Sequence, residues 1–290
     1  MPVKAASAPD AGAPARFQVN LLGDTIAAEV IGLDLTRPFD AATLKAVKDA
    51  FLRYRILCFR DQNLTKPQQV AFSEQFGELE RHTLRNKGQD LPLVHMVTNL
   101  GPDGKPTGVV KSQLWHSDKS FRPAPCMATI LHAVELPPVG GETYFADMYS
   151  AYDALSADAK AEVDDLRVVH SWALSRENTG RVMSQEEIDD APPMAHPLAR
   201  VHPETGKRAL FMGCHASHLE GWDFAAGRAR IEALEAHATQ PQFLYAHAWR
   251  KGDVLMWDNR CLLHRANASF DAAKHPRVLP RTCVRGTPTG

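Results

Sequence analysis

The chain has 290 residues, enough for one large domain or two small ones. Hydrophobic residues make up 44% of it and charged residues 23%, as in an ordinary globular protein. A net charge of -1, with lysines and arginines scattered along the chain, gives no basis for a nucleic-acid partner. No apolar stretch approaches the ~20 residues that a membrane helix needs, so no membrane partner is expected.

The N-terminal segment MPVKAASAPDAGAPAR is rich in Ala and Pro and lacks the apolar core of a signal peptide. We expect residues 1–16 to be a mobile tail and residues 17–290 to be a single domain, because no linker divides the remainder. The five cysteines are an odd number, widely spaced and without a CxxC pair. This pattern argues against disulfides and a structural zinc site, and it predicts a reduced, cytoplasmic location. The oligomeric state stays open, with a homo-oligomer as one option.

The first third of the chain alternates between strand and helix patterns. Apolar residues recur at helical spacing behind Asp40, which is a favourable N-cap residue. Thr65 and Gly77 are suited to begin and end a second helix. We therefore predict a strand pair at 24–33, helices at 40–54 and 65–77, and a buried strand at 55–62.

The rest of the chain is mainly strand-like, with two predicted helices at 150–166 and 225–239. The strands are short β-rich runs bounded by Gly, Pro or Asp: 128–136, 142–148, 208–213, 254–259 and 261–266. Because long excursions separate them, they do not form a regular βαβ series. The pattern predicts a mainly β fold with helical insertions (α+β), an antiparallel sandwich or jelly roll. Nucleotide binding has no support, since G-x-G-x-x-G and Walker motifs are absent.

The segment QLWHSDKSF at 113–121 contains a candidate metal-binding pair. His116 and Asp118 are two residues apart, so in an extended segment their side chains leave the same face. Imidazole and carboxylate groups are suitable donors for a divalent transition metal, and His264 is the best candidate for a third donor. Two histidines and one carboxylate form a facial triad, which leaves three metal positions open. With 13 histidines in the chain, a His-x-Asp pair can also arise by chance, so the metal interpretation depends on support from other segments.

Two other segments of the chain favour the metal interpretation. In GGETYF at 140–145 two glycines permit a tight turn before a strand carrying Thr143, whose hydroxyl can donate to a carboxylate; a plain hairpin is the alternative. Near the C-terminus, Arg277 and Arg281 share one face of a predicted strand at a separation of about 13 Å. Burying these two charges without partners would cost free energy, whereas each guanidinium can bind a carboxylate ligand. Two solvated arginines on an edge strand are the alternative.

Longer segments carry a family resemblance. They are LWHSDKSF, ELPPVGGETYFADM, AYDALS, GKRALFMGCHASHLEG, HAWRKGDVLMWDNRCLLHR and the final Arg-x-x-x-Arg strand. In this order, from about Gly23 to Arg281, the sequence resembles the taurine dioxygenase and phenoxyacetate-herbicide dioxygenase family. The resemblance implies a double-stranded β-helix (jelly roll) and an enzyme that uses Fe(II), 2-oxoglutarate and O2 and releases succinate and CO2. It also implies that His116, Asp118 and His264 are catalytic and bind the iron.

The resemblance assigns roles to further residues. It implies that Thr143 and Arg277 bind the distal carboxylate of 2-oxoglutarate and that Arg281 faces the acidic group of the primary substrate. By the same resemblance, Asn99 and His82 are candidates for polar contacts with that substrate.

The arginine segment departs from the taurine enzyme. The segment from His264 to the arginine pair is two residues longer than in the taurine enzyme, and Pro276 and Pro280 lie near the arginines. Proline in this strand predicts an edge position or a local distortion.

The segments HASHLEG and WDNRCLLHR match the herbicide enzyme particularly well. This favours a small organic acid of the phenoxyalkanoate type as the substrate, hydroxylated beside the ether oxygen so that the ether is cleaved. A sulfonate such as taurine is the alternative. His215 and His218 are expected to line the pocket or to be structural rather than to bind metal. Trp257 is expected either to pack beneath the site or to serve the core alone.

Two rivals belong to other functional classes. A zinc-dependent hydrolase could use the same three ligands with an activated water, but it needs no pair of arginines on one face. A non-catalytic jelly roll that binds a small anion would leave His116 and Asp118 without a purpose.

Overall fold

A computed structural model describes residues 17–81 and 93–289. The predicted tail at 1–16 and the candidate residue His82 lie outside the described residues. The helices are α1 (Ala41–Tyr54), α2 (Lys66–Glu74), α3 (Met148–Asp153), α4 (Ala157–Asp164), α5 (Trp172–Glu177), α6 (Gln185–Asp190) and α7 (Phe224–Ala238). The strands are β1 (Gln18–Leu21), β2 (Ala28–Ile31), β3 (Ile56–Phe59), β4 (His95–Thr98), β5 (Cys126–His132), β6 (Thr143–Asp147), β7 (Arg167–His170), β8 (Met194–Pro197), β9 (Ala199–Val201), β10 (Arg208–Leu210), β11 (Ala216–Leu219), β12 (Leu244–His247), β13 (Val254–Asp258), β14 (Leu262–Ala266) and β15 (Val278–Arg285). The fold is mainly β with helices, as predicted.

A seven-stranded sheet of order β1-β2-β3-β13-β5-β15-β4 forms the centre of the fold. Its neighbouring strands are antiparallel except for β2 and β3. Side chains of β13 alternate between its two faces: Val254 and Met256 belong to one core cluster, Leu255 and Trp257 to another. The first cluster includes apolar side chains of α1 and α2, whereas the second includes those of β6 and β14. The centre of the sheet is therefore buried on both faces, which explains the nearly continuous apolar runs of β3 and β13.

Smaller sheets of order β12-β6-β14, β11-β7-β8 and β10-β9 complete the β structure. The sheet β12-β6-β14 is antiparallel and contributes Phe145 and Leu263 to the core that it shares with the central sheet. Backbone pairing of His116 with His264 adds the HxD segment beside β14. The metal-binding candidates consequently lie at the margin of this small sheet.

The helix starts predicted from capping residues are confirmed. The Asp40 side chain accepts a hydrogen bond from the backbone N–H of Thr43 at the start of α1. Thr65 and Gln68 form a reciprocal capping box at the start of α2. These short-range bonds satisfy backbone donors that have no partner within the helix.

Three local predictions are wrong. Residues 24–33 contain one strand rather than two, because β2 pairs with the upstream β1. The predicted helix at 150–166 is two helices, because the Ser156 side chain caps a new start at α4. Strand β15 is not at an edge, since it lies between β5 and β4. Pro280 is tolerated because pairing with β5 runs from Arg281 to Arg285, and Pro280 faces only β4.

Among residues 17–81 and 93–289, no helix has the length and apolar character that crossing a bilayer would require.

Phe72 of α2 anchors the helical layer on the central sheet. Its ring makes edge contacts with Phe39, Phe59 and Phe76 at centroid distances of 5.9, 5.5 and 5.3 Å. Phe72→Ala should lower the free energy of unfolding by about 3–5 kcal/mol, because it leaves a cavity among these rings. Phe224→Ala, at a helical phenylalanine that is 53% exposed, should cost about 0.5 kcal/mol or less. Urea denaturation measures both, and equal losses would contradict this packing.

Candidate metal centre and active-site pocket

The backbone holds His116 and His264 side by side. Each residue's N–H donates to the other's carbonyl oxygen, at 3.0 and 2.8 Å. On the other flank, the N–H of Cys214 donates to the carbonyl oxygen of Trp115. Gly213 adopts a φ of 114°, and a Cβ there would lie 2.9 Å from that carbonyl oxygen. A glycine is therefore required where the chain passes the HxD segment.

The three predicted ligand residues meet at one point. One donor atom each of His116, Asp118 and His264 lies within 4.8 Å of the others, and all three residues are buried. The His264 Nε2 atom is 3.7 Å from Asp118 Oδ2, and the two imidazole centroids are 4.1 Å apart. Within the described residues, His264 Nδ1 has no hydrogen-bond partner. Two imidazoles and a carboxylate at this spacing fit a divalent iron ion.

The protonation states also suit a metal. Burial lowers the pKa of His116, and burial followed by the nearby His116 lowers that of His264 well below its usual value. Both rings are therefore neutral at pH 7, as metal ligands must be. His116 Nδ1 lies 2.8 Å from the carbonyl oxygen of Leu114, which places its proton there and leaves Nε2 as the donor to a metal.

Asp118 is held as a charged carboxylate. Burial alone would raise its pKa, but the adjacent Arg281 guanidinium lowers it well below the usual range. Arg281 donates to Asp118 Oδ1 at 2.8 Å, and the Thr129 hydroxyl donates to Oδ2 at 2.6 Å. The carboxylate is thus fixed from both sides.

Asn259 supports the same carboxylate from behind. Its side-chain oxygen accepts from the backbone N–H of Asp118, and its amide nitrogen donates to the Thr129 hydroxyl at 2.9 Å. The Trp257 Nε1–H also donates to the Asn259 side-chain oxygen, and the Trp257 and His264 ring centroids are 4.7 Å apart. Sequence analysis identified neither Thr129 nor Asn259, because their role depends on β5 and β13 being neighbours.

Arg277 and Thr143 form a second polar group of the site. The Arg277 guanidinium donates to the carbonyl oxygen of Gly141 at 3.1 Å and to the Thr143 hydroxyl at 3.3 Å. Burial lowers the pKa of Arg277 to about 10. In the described part of the chain, no carboxylate forms an ion pair with it. Gly141 has a φ of 76°, and a Cβ there would lie 3.4 Å from Arg277 Nε, so the tight turn makes room for the guanidinium.

Asn99 holds the chain in front of Arg277. Its amide nitrogen donates to the carbonyl oxygens of Ala272 and His275, and its oxygen accepts from the backbone N–H of Arg277. Both ends of the amide are therefore engaged in orienting the arginine segment.

A cavity of about 680 Å³ lies beside these groups. Its lining includes His116, Asp118, Asn99, Arg277 and Arg281. Phe121, Trp172 and Arg176, which sequence analysis did not single out, form another part of the wall. The structure therefore brings two of the three candidate metal ligands and several cationic side chains to the wall of a single pocket.

The two histidines of the HASH segment have different surroundings. His215 lines the cavity, and its Nδ1 lies 3.0 Å from the Ser120 hydroxyl. His218 instead pairs with the Ser217 hydroxyl and lies against Phe224. Their different partners favour the pocket-lining or structural roles predicted for them.

A second group of potential ligands, Cys58, His247 and Asp253, lies elsewhere in the core. Asp253 Oδ2 already accepts from Arg60 at 2.6 Å, from the backbone N–H of Arg250 at 2.8 Å and from His247 at 3.2 Å. Burial raises the pKa of the Cys58 thiol, which stays protonated. A protonated thiol is not a metal ligand, so this group is a hydrogen-bonded network.

The family described as "Taurine catabolism dioxygenase TauD, TfdA family" matches residues 18–283. The chain belongs to this family. It is 38% identical to an "Alpha-ketoglutarate-dependent 2,4-dichlorophenoxyacetate dioxygenase" of Burkholderia sp. (strain RASC) over 271 residues, 89% of this chain and 91% of the relative. It is 35% identical to an "(S)-phenoxypropionate/alpha-ketoglutarate-dioxygenase" of Sphingobium herbicidovorans over 289 residues, 94% and 96% of the two chains.

Solved structures agree with this assignment. The crystal structure of AAD-2 in complex with Mn(II) and N-oxalylglycine superimposes with a TM-score of 0.84 at 37% identity, covering 94% of this chain and 98% of that chain. The chain is accordingly a dioxygenase with the fold of its family.

The Thr129 hydroxyl offers a test of how Asp118 is positioned. Thr129→Val keeps the side-chain shape but removes the bond to Asp118, and we expect it to weaken Mn(II) binding about 10- to 100-fold. Thr282→Val is the matched control: this buried threonine of β15 bonds to Ser73 instead. Mn(II) titration followed by electron paramagnetic resonance measures both variants. Unchanged affinity in Thr129→Val, or an equal loss in the control, would contradict the assignment.

Proposed function

We propose that His116, Asp118 and His264 are a facial triad that binds Fe(II), and that the enzyme hydroxylates a small organic acid of the phenoxyalkanoate type. Fe(II), 2-oxoglutarate and O2 are its cofactor and co-substrates, and succinate and CO2 are released. The observation that carries the proposal is the convergence of three metal donors beside a cavity that is also lined by Arg277, which bonds to Thr143.

Bound iron with its co-substrates supplies the oxidising power that converts a C–H bond into C–OH, while the protein orients the reactants. Arg277 is suited to the distal carboxylate of 2-oxoglutarate because it is a buried cation that forms no ion pair with a carboxylate of the described residues. The Thr143 oxygen accepts from Arg277 and from Trp249 Nε1, so its own proton is directed elsewhere. We infer that this O–H donates to the same carboxylate.

Arg281 has two roles in the proposal. Its bond to Asp118 keeps that carboxylate ionised and in place. The guanidinium also lines the cavity, and we infer that it faces the carboxylate of the primary substrate. Asn99 acts through Arg277, because its amide bonds fix the segment that carries this arginine. A polar contact from His82, outside the described residues, stays a prediction.

An aromatic wall supports an aryl-bearing substrate. Phe121 and Trp172 are stacked, with centroids 5.3 Å apart and planes at 11°, and both line the cavity. The names of two relatives refer to a phenoxyacetate and a phenoxypropionate. With the carboxylate at Arg281 and the ring against this wall, the carbon between carboxylate and ether oxygen would be oxidised. The resulting hemiacetal then collapses to a phenol and a carbonyl acid, which cleaves the ether.

We also propose the double-stranded β-helix and a single domain over 17–290; the antiparallel small sheet paired with the HxD segment supports them. The cytoplasmic location, the lack of nucleic-acid and membrane partners and the homo-oligomer stay predictions. Membership of a dioxygenase family favours this reaction over zinc hydrolysis or simple anion binding.

A substrate panel tests the reaction. Phenoxyacetate, both enantiomers of 2-phenoxypropionate, and taurine are incubated with the iron-loaded enzyme, 2-oxoglutarate and air. We expect succinate release with at least one phenoxy acid, accompanied by an equal amount of phenol. Succinate release with taurine alone would contradict the proposed substrate class.

The two C-terminal arginines should separate kinetically. Arg277→Met should raise the KM for 2-oxoglutarate about 10- to 100-fold, because a charged hydrogen bond to its carboxylate is lost. Arg281→Met should raise the KM for the phenoxy acid more than that for 2-oxoglutarate. Steady-state succinate assays measure both constants, and exchanged phenotypes would reverse the two assignments.

A further inference from the structure

The cavity is strongly cationic. Among the described residues, six lysines and arginines line it, whereas its one lining carboxylate is Asp118. Three of the six are in ion pairs: Arg281 with Asp118 at 2.8 Å, Lys119 with Glu80 at 3.2 Å and Arg181 with Glu187 at 2.5 Å. The others are Lys111, Arg176 and Arg277. The pocket therefore has more positive charge than its own carboxylates neutralise.

Arg176, near the end of α5, is a cation of the aromatic wall without an acidic partner. Its Nε atom is buried and has no hydrogen-bond partner, and no carboxylate of the described residues forms an ion pair with it. Its guanidinium carbon lies 5.7 Å above the Trp172 ring, which in turn stacks on Phe121. Arg176 and His215 line the same cavity.

Two of the other cations, Arg277 and Arg281, are already assigned by the proposed function, and Lys111 is exposed. Arg277 is matched by the distal carboxylate of 2-oxoglutarate, and Arg281 by Asp118 and the carboxylate of the primary substrate. Arg176 then remains beside the aromatic wall, where the ring of that substrate is expected. A partly desolvated guanidinium gains most from an anionic partner that it can bind in bidentate fashion.

We propose that Arg176 binds a second anionic group of the primary substrate, at the end remote from the carboxylate that faces Arg281. The preferred substrates are then aryloxy acids with a carboxylate on the ring, rather than simple phenoxyacetates. This inference rests on the proposed function, because it takes the aryl ring to lie against Phe121 and Trp172. A cation that only packs on Trp172 would show no such preference.

Equilibrium binding tests the inference without turnover. Mn(II) and N-oxalylglycine take the places of the iron and 2-oxoglutarate, and calorimetry measures Kd for phenoxyacetate, for the 3- and 4-carboxy derivatives and for their uncharged carbamoyl analogues. In the wild type, at least one carboxy isomer should bind about 10-fold more tightly than its carbamoyl analogue, as a charged hydrogen bond allows. Arg176→Met should abolish this ratio, and Arg176→Lys should retain part of it.

Lys111→Met is the matched control, because it removes the same charge from an exposed position of the same cavity. We expect the carboxy-to-carbamoyl ratio to survive in it. A ratio near one in the wild type, a ratio unaffected by Arg176→Met, or an equal loss in Lys111→Met would overturn the inference. Circular dichroism checks that each variant is folded.

Failure of this inference is distinguishable from failure of the proposed function. If phenoxy acids support succinate release but the Kd ratio does not depend on Arg176, the reaction stands and the second anion site is wrong. If the ratio depends on Arg176 but no phenoxy acid supports succinate release, the anion site stands and the assigned reaction is wrong.

Discussion

The site depends on the backbone pairing of His116 with His264. Two reciprocal hydrogen bonds bring together segments that are far apart in the chain, and Gly213 permits a close approach on the other flank. Because the pairing fixes both imidazoles and the adjacent Asp118, one donor atom of each residue lies within 4.8 Å of the others.

Electrostatics gives each part of the pocket a different task. Burial keeps the two imidazoles neutral, whereas Arg281 keeps Asp118 ionised in the same environment. Arg277 is equally buried but lacks an acidic partner among the described residues, so its charge is available to an anionic ligand. The cavity is thus lined both by ligands of the proposed metal site and by arginines that Asp118 alone does not neutralise.

The sequence was sufficient for features that depend on near neighbours in the chain. Asp40 and Thr65 identify helix starts because a cap bonds within three residues, and the HxD spacing places two donors on one face. Thr129 and Asn259 could not be recognised, because their bonds to Asp118 and to one another follow from strand order. The apolar pattern alone did not reveal the break at Ser156 within residues 150–166. It also did not reveal that β2 pairs with β1, because competing local signals decide both features.

The most direct test of the metal centre is the visible spectrum of the Fe(II)-loaded protein after anaerobic addition of 2-oxoglutarate. The account predicts a weak charge-transfer band in the wild type and its loss in His264→Ala. A wild-type protein that binds Fe(II) without the band, or a His264→Ala variant that retains it, would contradict the assignment of these three residues.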